Sequence, residues 1–213
     1  MDIISKQMKL LIATSNPAKL AEIREILSGL PFSCVSLSEM GITHVVEETG
    51  STFEENAIKK AQEYAAISHI PTLADDGGLE IDALNGEPGV HSHRWIHKDR
   101  EDTDEELIQY TIEKLKDVPF NKRDAQLRLV LAFVTPERDE AVTSEGMIRG
   151  IIALKPSSYR RTGFPYRSLL YLPDIGKFYN HDELTPGEND AYNHRKHALE
   201  ILKPKITEYF LCD

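Results

Sequence analysis

Two pairs of adjacent carboxylates are the residues of this sequence best suited to chemistry. Asp75 and Asp76 stand side by side before two glycines, and a second acidic pair stands at Glu47 and Glu48. Adjacent like charges are unfavourable unless a cation or hydrogen-bond donors compensate them. Carboxylate oxygens are preferred ligands of Mg²⁺, which usually keeps waters and bridges to substrate phosphates. The pattern therefore indicates a magnesium site. The alternatives are an exposed acidic turn at the aspartates and a solvated charge pair at the glutamates.

A polar loop near the beginning of the chain has the composition of an anion site. Thr14, Ser15 and Asn16 follow a short apolar run, and Lys19 falls in the first turn of the helix predicted next. Unpaired N–H groups and the helix dipole favour negative charge at such a position. We expect phosphate to bind here. The alternative is that Asn16 only caps the helix and that Lys19 is solvated.

Three further segments carry cationic or aromatic side chains. Lys60 stands beside the apolar Ala61, which would place it at the rim of a cleft. His194 and Arg195 can both donate hydrogen bonds to a keto oxygen or a phosphate. Phe164 lies in a loop bounded by glycine and proline, and such aromatic rings can stack on bases. The alternatives are a solvated lysine, a basic surface segment and core packing.

The spacing of His91 and His93 would suit a metal ion on a strand, but no third ligand stands out beside them. A histidine-bound metal is therefore the weaker of the two metal hypotheses.

The elements that must position these residues alternate between strands and helices. Apolar runs and alternation predict strands at Lys9–Thr14, Pro71–Ala74 and Ala125–Val134. A turn after the third leads to a strand at Ala141–Leu154, which forms a hairpin with it, and Ser168–Leu172 reads as another strand. Helical spacing predicts helices over Leu20–Leu27, from Thr52, from Thr103, and from Thr185 through Leu202. Each of the three threonines has a glutamate three positions later, as in a capping box. Residues 75–78 read as a turn. The mixture predicts an α/β fold with a mixed sheet, in one continuous domain over residues 1–213.

Composition excludes several classes of protein. The 213 residues carry 35 acidic and 25 basic side chains, a formal net charge of −10, so a general binder of nucleic acid backbones is not expected. Cys34 and Cys212 are far apart, which argues against a disulfide framework or a cysteine zinc site. The N-terminal apolar run is too short for a signal peptide, and no segment approaches 18 apolar residues. We expect a cytoplasmic protein without a membrane span.

Five segments, taken in order, resemble the inosine triphosphate pyrophosphatase family. They are TSNPAK at Thr14–Lys19, ETGSTFEENAIKKA at Glu48–Ala61, ADDGGLEIDALNGEPGVHSHRW at Ala74–Trp95, GF at Gly163–Phe164 and HR at His194–Arg195. The resemblance implies a mixed twisted central sheet flanked by helices, in two lobes with the active-site cleft between them. It also implies a homodimer that uses Mg²⁺ to hydrolyse ITP, dITP and XTP to the monophosphate and pyrophosphate.

The resemblance also implies roles for individual residues. Glu48 and Asp76 would bind Mg²⁺, and Asp76 would accept the proton of the attacking water. Lys19 and Lys60 would be catalytic through the phosphate charge that they neutralise. Phe164 would stack on the purine, while His194 and Arg195 would read its 6-keto oxygen. The wider substrate-binding set is Thr14, Ser15, Asn16, Lys19, Gly77, Phe164, Pro165, Tyr166, Arg167, Asn189, His194 and Arg195.

Five positions depart from the family pattern, and all lie on the base-recognition side or its edge. The aromatic loop usually reads Gly-Phe-Gly-Tyr-Asp, whereas this chain has Pro165 and ends the motif in Arg167. A lysine is replaced by Asn189, and two serines are replaced by Asn193 and Gly77. The first hypothesis is therefore an active pyrophosphatase of altered base preference.

Two other functions stay open at this point. One is a nucleotide-sensing subunit that signals to a partner protein without hydrolysis. The other is a pyrophosphatase that acts on modified pyrimidines.

Overall fold

The computed structural model describes residues 8–180 and 182–211, except for the side chain at position 139. Cys212 lies outside these residues, whereas the N-terminal apolar run, Leu10–Ala13, lies within them. The elements run β1 (Lys9–Ala13), α1 (Pro17–Ile26), β2 (Ser33–Ser36), α2 (Phe53–Ser68), β3 (Thr72–Ile81), α3 (Asp104–Lys114), β4 (Asp124–Thr135), β5 (Arg138–Ile152), β6 (Leu170–Leu172), β7 (Lys177–Phe178), α4 (Pro186–Tyr192) and α5 (His194–Leu211). Among the described residues, no helix is both long enough and apolar enough to cross a membrane.

The strands form one mixed sheet in the order β2-β1-β3-β4-β5-β6-β7. β1 pairs in parallel with β2 and with β3, whereas β6 pairs antiparallel with β5 and with β7. The neighbours β4 and β5 are joined by only two residues, as a hairpin requires. The predicted α/β class and mixed sheet are confirmed.

The chain divides into two compact units, each built from separate stretches. The first comprises Met1–Asp76, Val130–Glu145 and Lys196–Asp213, and the second comprises Gly77–Leu129 and Gly146–Arg195. Each unit buries apolar side chains of its own. In the first these include Leu10, Leu11, Ile12, Ile23, Ala57, Leu73 and Ile206, and in the second Leu79, Ile81, Leu107, Ile108, Leu129, Leu169 and Leu170.

Local capping interactions set the beginnings of the helices. The hydroxyls of Thr103 and Thr185 each accept a hydrogen bond from the backbone N–H of the glutamate three residues later. The carboxylate of that glutamate accepts one from the backbone N–H of the threonine, so these two predicted capping boxes are confirmed. At α2 only half of the prediction holds. Thr52 accepts from the N–H of Glu55, but the Glu55 carboxylate accepts from Ser51 instead, at 2.6 Å from its backbone nitrogen.

Residues 75–78 form part of a strand, which corrects the predicted turn. β3 runs without a break from Thr72 to Ile81, and Asp75 and Asp76 are buried within it. The following glycines serve close packing. A Cβ on Gly77 would lie 2.5 Å from the carbonyl oxygen of Arg128, and one on Gly78 would collide with the Ser92 hydroxyl.

The predicted last helix is two helices. α4 ends at Tyr192, and Asn193 has an extended backbone (φ −76°, ψ 92°), after which α5 begins at His194. The second of them extends past the predicted end at Leu202, because Pro204 lies inside α5, which continues to Leu211. A proline removes one helical hydrogen bond, and here the packing of α5 through buried residues such as Leu202 and Ile206 outweighs that loss.

The Gly78→Ala variant is expected to lose about 1–3 kcal/mol of unfolding free energy because it overpacks a filled site. The Ser92 hydroxyl at this site accepts from the N–H of Leu79 at 2.9 Å and donates to the carbonyl of Gly89 at 2.7 Å, so it cannot move without breaking both bonds. Urea unfolding measures the difference. Gly187→Ala is the control, since a Cβ there meets nothing within 4 Å; equal stability of the two variants would contradict this packing argument.

Candidate functional site

The ammonium of Lys60 is the centre of a first group of predicted site residues. The Lys60 side chain is only 12% exposed, and its Nζ donates to Glu48 Oε1 at 2.5 Å and to the carbonyl of Asp75 at 2.6 Å. The same Nζ lies 3.5 Å from Asp76 Oδ1. The carboxylates of Glu48 and Asp76 therefore share one ammonium. The distance between Glu48 Oε1 and Asp76 Oδ1 cannot exceed the sum of their distances to Lys60 Nζ. Two distant stretches of chain, an irregular segment and β3, meet here.

A second ion pair extends this group toward the first loop. Lys19 Nζ lies 3.1 Å from Asp75 Oδ2, with 12% and 1% of the two side chains exposed. Lys19 is therefore not the solvated lysine of the alternative interpretation. Asp75 and Asp76 are adjacent on a strand, so their side chains leave on opposite sides of the backbone. Because of that alternation, the two aspartates pair with different lysines, Asp75 with Lys19 and Asp76 with Lys60.

The first loop joins β1 to α1 as predicted, and Asn16 caps the helix. Its Oδ1 accepts from the backbone N–H groups of Ala18 at 2.9 Å and Lys19 at 3.3 Å. The Thr14 hydroxyl in turn accepts from the N–H of Asn16 at 3.2 Å. The capping alternative is thus part of the structure, and it holds Thr14, Ser15 and Asn16 at the positive end of α1 beside Lys19.

The charges around Lys60 perturb one another. Burial raises the pKa of Asp76, and the charge of Glu48 raises it further, although Lys60 opposes both. Burial also acts on Glu48, but the ammonium of Lys60 outweighs it and holds the pKa of Glu48 below its usual range. Burial alone would lower the pKa of Lys60, but Asp76, Glu48 and Asp75 together raise it, so this lysine stays protonated. A buried carboxylate of raised pKa beside a fixed cation is a common arrangement for a general base.

Sequence reasoning missed Asn56, which connects the two metal-ligand candidates. The residue is 2% exposed; its Oδ1 accepts from the N–H of Gly50 at 2.7 Å and its Nδ2 donates to Asp76 Oδ2 at 3.1 Å. The signal was present in the sequence. Asn56 precedes Lys60 by four positions, which places both on one face of a helix.

The donor set of this group suits a hard divalent cation. Three carboxylates (Glu48, Asp75 and Asp76) contact two ammonium groups (Lys19 and Lys60), which leaves one negative charge in excess. Carboxylate oxygens are the ligands that Mg²⁺ prefers in proteins. The residues present therefore fit a magnesium ion held by Glu48 and Asp76.

A second group of predicted residues surrounds Phe164. The guanidinium carbon of Arg167 lies 3.9 Å from the centre of the Phe164 ring and 5.0 Å from that of Tyr179. Arg195 approaches the Phe164 ring to 5.6 Å. Both arginines are buried, at 5% and 3% exposure. Stacked guanidinium groups of this kind keep their N–H groups in the plane of the fork, where they can meet oxygen atoms.

His194 and the two asparagines lie at the junction of α4 and α5. His194 Nδ1 is 3.0 Å from the hydroxyl of Tyr179, and its imidazole is buried. Asn189 Nδ2 donates to the carbonyls of Leu184 at 3.1 Å and of Thr185 at 3.3 Å, within the first turn of α4. Asn193 ends α4, where its backbone N–H donates to the carbonyl of Asn189. The extended backbone of Asn193 is what separates the His194–Arg195 pair from α4.

Four members of the predicted substrate-binding set, Gly77, Pro165, Tyr166 and Arg167, also make packing contacts within the protein. Pro165, Tyr166 and Arg167 lie in a buried 3₁₀ turn, Pro165–Ser168. The Tyr166 hydroxyl donates to the carbonyl of Ser92 at 2.6 Å, and burial raises the pKa of this phenol. Gly77 approaches the backbone of β4, as described above.

The weaker metal hypothesis gains no structural support. His91 ends a 3₁₀ turn, Gly89–His91, rather than lying on a strand. Within residues 8–180 and 182–211, the group of three possible ligands gathered within 4.8 Å is His97, Asp102 and Glu106, and neither the His91–His93 pair nor the Glu48–Asp76 pair belongs to it. Arg100 already supplies a cation to that set, through bonds of 2.7 and 3.0 Å to Glu106.

Comparison with known proteins decides the family. The model of the Ham1 family matches residues 10–205. The chain belongs to the Ham1 family. It is 39% identical over 205 residues to the dITP/XTP pyrophosphatase of Coxiella burnetii, covering 96% of this chain and 99% of that protein. It is 36% identical over 195 residues to the dITP/XTP pyrophosphatase of Escherichia coli strain K12, covering 91% and 95%.

Solved structures of Ham1 proteins have the same fold. The Ham1 protein of Coxiella burnetii superposes with a TM-score of 0.80 at 36% identity, covering 95% of this chain and all of the other. A dITP/XTP pyrophosphatase from Mycobacterium abscessus gives 0.70 at 39% identity, covering 92% and 100%. The resemblance drawn from five short segments thus extends over nearly the whole chain, and the predicted family is confirmed.

Proposed function

We propose that this protein hydrolyses noncanonical purine nucleoside triphosphates, of the ITP, dITP and XTP class, to the monophosphate and pyrophosphate. The observation that carries the proposal is the buried Lys60 ammonium, which contacts the part-exposed Glu48 and the buried Asp76 beside the Lys19–Asp75 pair. Membership of a family whose relatives are named dITP/XTP pyrophosphatases supports the same reaction.

The chain's own residues divide the phosphate chemistry between them. Asp76 accepts the proton of the water that attacks the α-phosphorus, since its carboxylate is buried and oriented by Asn56. Lys60 and Lys19 balance the charge that builds up on the phosphoryl oxygens and on the leaving pyrophosphate. Thr14, Ser15 and Asn16 bind the triphosphate at the positive end of α1.

Magnesium is the metal that we propose, held by Glu48 and Asp76. When bound, it polarises the phosphoryl oxygens and lowers the pKa of a coordinated water. The carboxylate-only donor set is the reason for this choice over softer metals such as Zn²⁺, which prefer nitrogen and sulfur ligands.

We assign base recognition to the Phe164 group. Phe164 stacks on the purine, and His194 and Arg195 donate to its 6-keto oxygen. Adenine presents an amine at this position, so a site of donors leaves a buried N–H unpaired and disfavours ATP. The cationic Arg167, stacked on Phe164, supports the altered base preference that the sequence suggested.

The sensing subunit and the pyrimidine enzyme are not supported by any specific observation. The chain's relatives are named as enzymes of purine triphosphates, and the residues proposed for phosphate chemistry are all present. The homodimer, the absence of a nucleic acid partner, the cytoplasmic location and the single domain over residues 1–213 remain predictions. Light scattering of the purified protein tests the first of them.

The decisive assay mixes purified protein with Mg²⁺ and a panel of triphosphates and measures released pyrophosphate. We expect ITP, dITP or XTP to be cleaved with kcat/KM well above that of ATP. The absence of pyrophosphate release from every triphosphate, including pyrimidine ones, at micromolar enzyme would refute the proposal. Preferential cleavage of a modified pyrimidine would support the remaining alternative instead.

The Arg195→Met variant is expected to lose about 10–100-fold of kcat/KM for ITP, the effect of removing a charged hydrogen-bond donor from a buried site. Its kcat/KM for ATP should change much less, so the ratio of kcat/KM for ITP to kcat/KM for ATP falls. Initial rates with both substrates measure this. Arg149→Met is the matched control, because Arg149 is half-exposed and pairs with Asp82 at 2.6 Å; an equal loss for ITP and ATP in Arg195→Met would count against base reading.

A further inference from the structure

One face of α2 carries three side chains that reach the candidate site. Asn56, Lys59 and Lys60 have the spacing of i, i+3 and i+4, which places them together on a helix. Lys60 binds the carboxylates, as described above. Lys59 Nζ donates to the carbonyl of Glu47 at 2.6 Å and to the hydroxyl of Thr49 at 3.1 Å. The third member, Asn56, contacts both the Glu48-bearing segment and β3.

The segment that bears Glu48 has no regular structure of its own. Residues 42–50 form neither helix nor strand, so their backbone groups need partners elsewhere. α2 supplies several of these partners. Tyr64 Oη donates to the carbonyl of His44 at 3.1 Å and accepts from the N–H of Val46 at 3.4 Å. Lys59 and Asn56 hold the stretch on either side of Glu48.

Asn56 uses opposite ends of its amide for its two contacts. The oxygen faces a donor, the N–H of Gly50, and the nitrogen faces an acceptor, the carboxylate of Asp76. Because a flipped amide would break both contacts, the two bonds together define its orientation. Burial at 2% exposure keeps water from replacing either bond. One rigid group therefore spans the segment of one metal-ligand candidate and the side chain of the other.

The absence of a side chain at Gly50 makes this bridge possible. A Cβ at this position would lie 2.7 Å from Asn56 Oδ1 and 2.7 Å from the Cβ of Glu55. Any larger residue would push the segment away from α2 and lengthen the bond that Gly50 donates. The close approach of Gly50 and the bond of Asn56 are thus two parts of one contact.

The geometry points to Asn56 as a positioning residue, which holds Glu48 and Asp76 in the one arrangement that binds the metal ion. This inference rests on the proposed function. Asn56 acts through Asp76 and through the backbone of residues 47–50, and it takes no part in the reaction itself. Partners of this kind, behind the metal ligands, typically change metal affinity or activity by 10–100-fold when they are removed.

The Asn56→Leu variant tests the inference, since leucine is of similar size and makes neither bond. Binding of Mn²⁺ alone, without nucleotide, is followed by the electron paramagnetic resonance signal of the free ion. We expect the dissociation constant for Mn²⁺ to rise by about 10–100-fold and kcat to fall by a similar factor. KM for the nucleotide should stay within about threefold, because the side-chain hydrogen bonds of Asn56 go to Gly50 and Asp76 rather than to the proposed phosphate loop. Gly50→Ala should change the same quantities in the same direction.

Tyr64→Phe is the matched control, because it removes a buried hydroxyl of α2 that anchors the same segment away from the carboxylates. Mn²⁺ binding and kcat near wild-type values in this control, with both lowered in Asn56→Leu, support the inference. Folded Asn56→Leu protein with wild-type Mn²⁺ affinity overturns it, and so does an equal loss in Tyr64→Phe. Thermal unfolding shows that the variants are folded. Wild-type protein that neither binds Mn²⁺ nor hydrolyses triphosphates would instead refute the proposed function, and the inference with it.

Discussion

The Asp76→Asn variant is expected to hydrolyse ITP about 10³-fold more slowly than the wild type, at unchanged enzyme and metal concentrations. The change removes the proposed proton acceptor and one of the two proposed metal ligands while keeping the shape of the side chain. Because Asp76 is 8% exposed and lies inside β3, an isosteric amide is the least disruptive replacement. Pyrophosphate release under saturating nucleotide measures kcat directly.

A control for this variant is available on the same strand. Glu80 is also a carboxylate of β3 with a cationic neighbour, Arg128 at 3.5 Å, but it lies outside the proposed site. Glu80→Gln should retain kcat within about twofold. If folded Asp76→Asn kept more than a tenth of the wild-type kcat, neither proposed role of Asp76 would hold.

The Lys60→Met variant is expected to lose both activity and stability. Removing one partner of a buried ion pair leaves charge without compensation, which typically costs about 3–5 kcal/mol. Here the orphaned groups are the buried carboxylate of Asp76 and the carbonyl of Asp75, whereas water can solvate Glu48, whose side chain is 38% exposed. Since Lys60 also faces the developing phosphoryl charge, kcat should fall by about 10²–10³-fold. Urea unfolding and pyrophosphate release measure the two effects on the same protein.

The same variant makes a prediction about pH. Burial already raises the pKa of Asp76, and Lys60 is the strongest influence that lowers it. Without the lysine this pKa rises further, so the carboxylate becomes protonated at a higher pH. Hydrolysis requires the ionised form, and activity is lost as the pH falls through the pKa of the free enzyme. The acidic limb of the kcat/KM profile should therefore move to higher pH in Lys60→Met.

The control for these measurements is Lys203→Met, which removes a lysine that pairs with Glu200 on α5 at 3.4 Å. Its pH profile should match that of the wild type. An acidic limb that stays in place in Lys60→Met, or that moves equally in both variants, would show that Lys60 does not set the protonation of the proton acceptor.

Much of the fold follows from local interactions, which is why the sequence predicted it. The capping residues Thr103 and Thr185 each act on a glutamate three positions away, and no distant contact is needed to place them. Apolar runs likewise predicted β1 and the second half of β4, because a strand buried on both faces has to be apolar along its length.

Residues 75–78 were misread as a turn because the reason for their composition lies elsewhere in the chain. Two acids and two glycines in a row have low strand propensity. In the structure Asp75 forms an ion pair with Lys19, and Asp76 forms one with Lys60. The two glycines leave space for the backbone of β4 and for the side chain of Ser92. Long-range compensation of charge and volume therefore overrides the local preference, and no pattern within those four residues could reveal it.

The chemical types of the site residues were determined by the sequence itself: carboxylates and lysines for a metal and phosphates, and an aromatic ring with cations for a base. Which of them meet was decided only by the tertiary structure. Lys60 contacts the carboxylates, and Asn56 bonds both to Asp76 and to Gly50, because α2 packs beside β3 and beside the irregular segment that precedes α2. Side-chain chemistry is a property of each residue, whereas distances of 2.5–3.5 Å between residues far apart in the chain depend on how the elements pack.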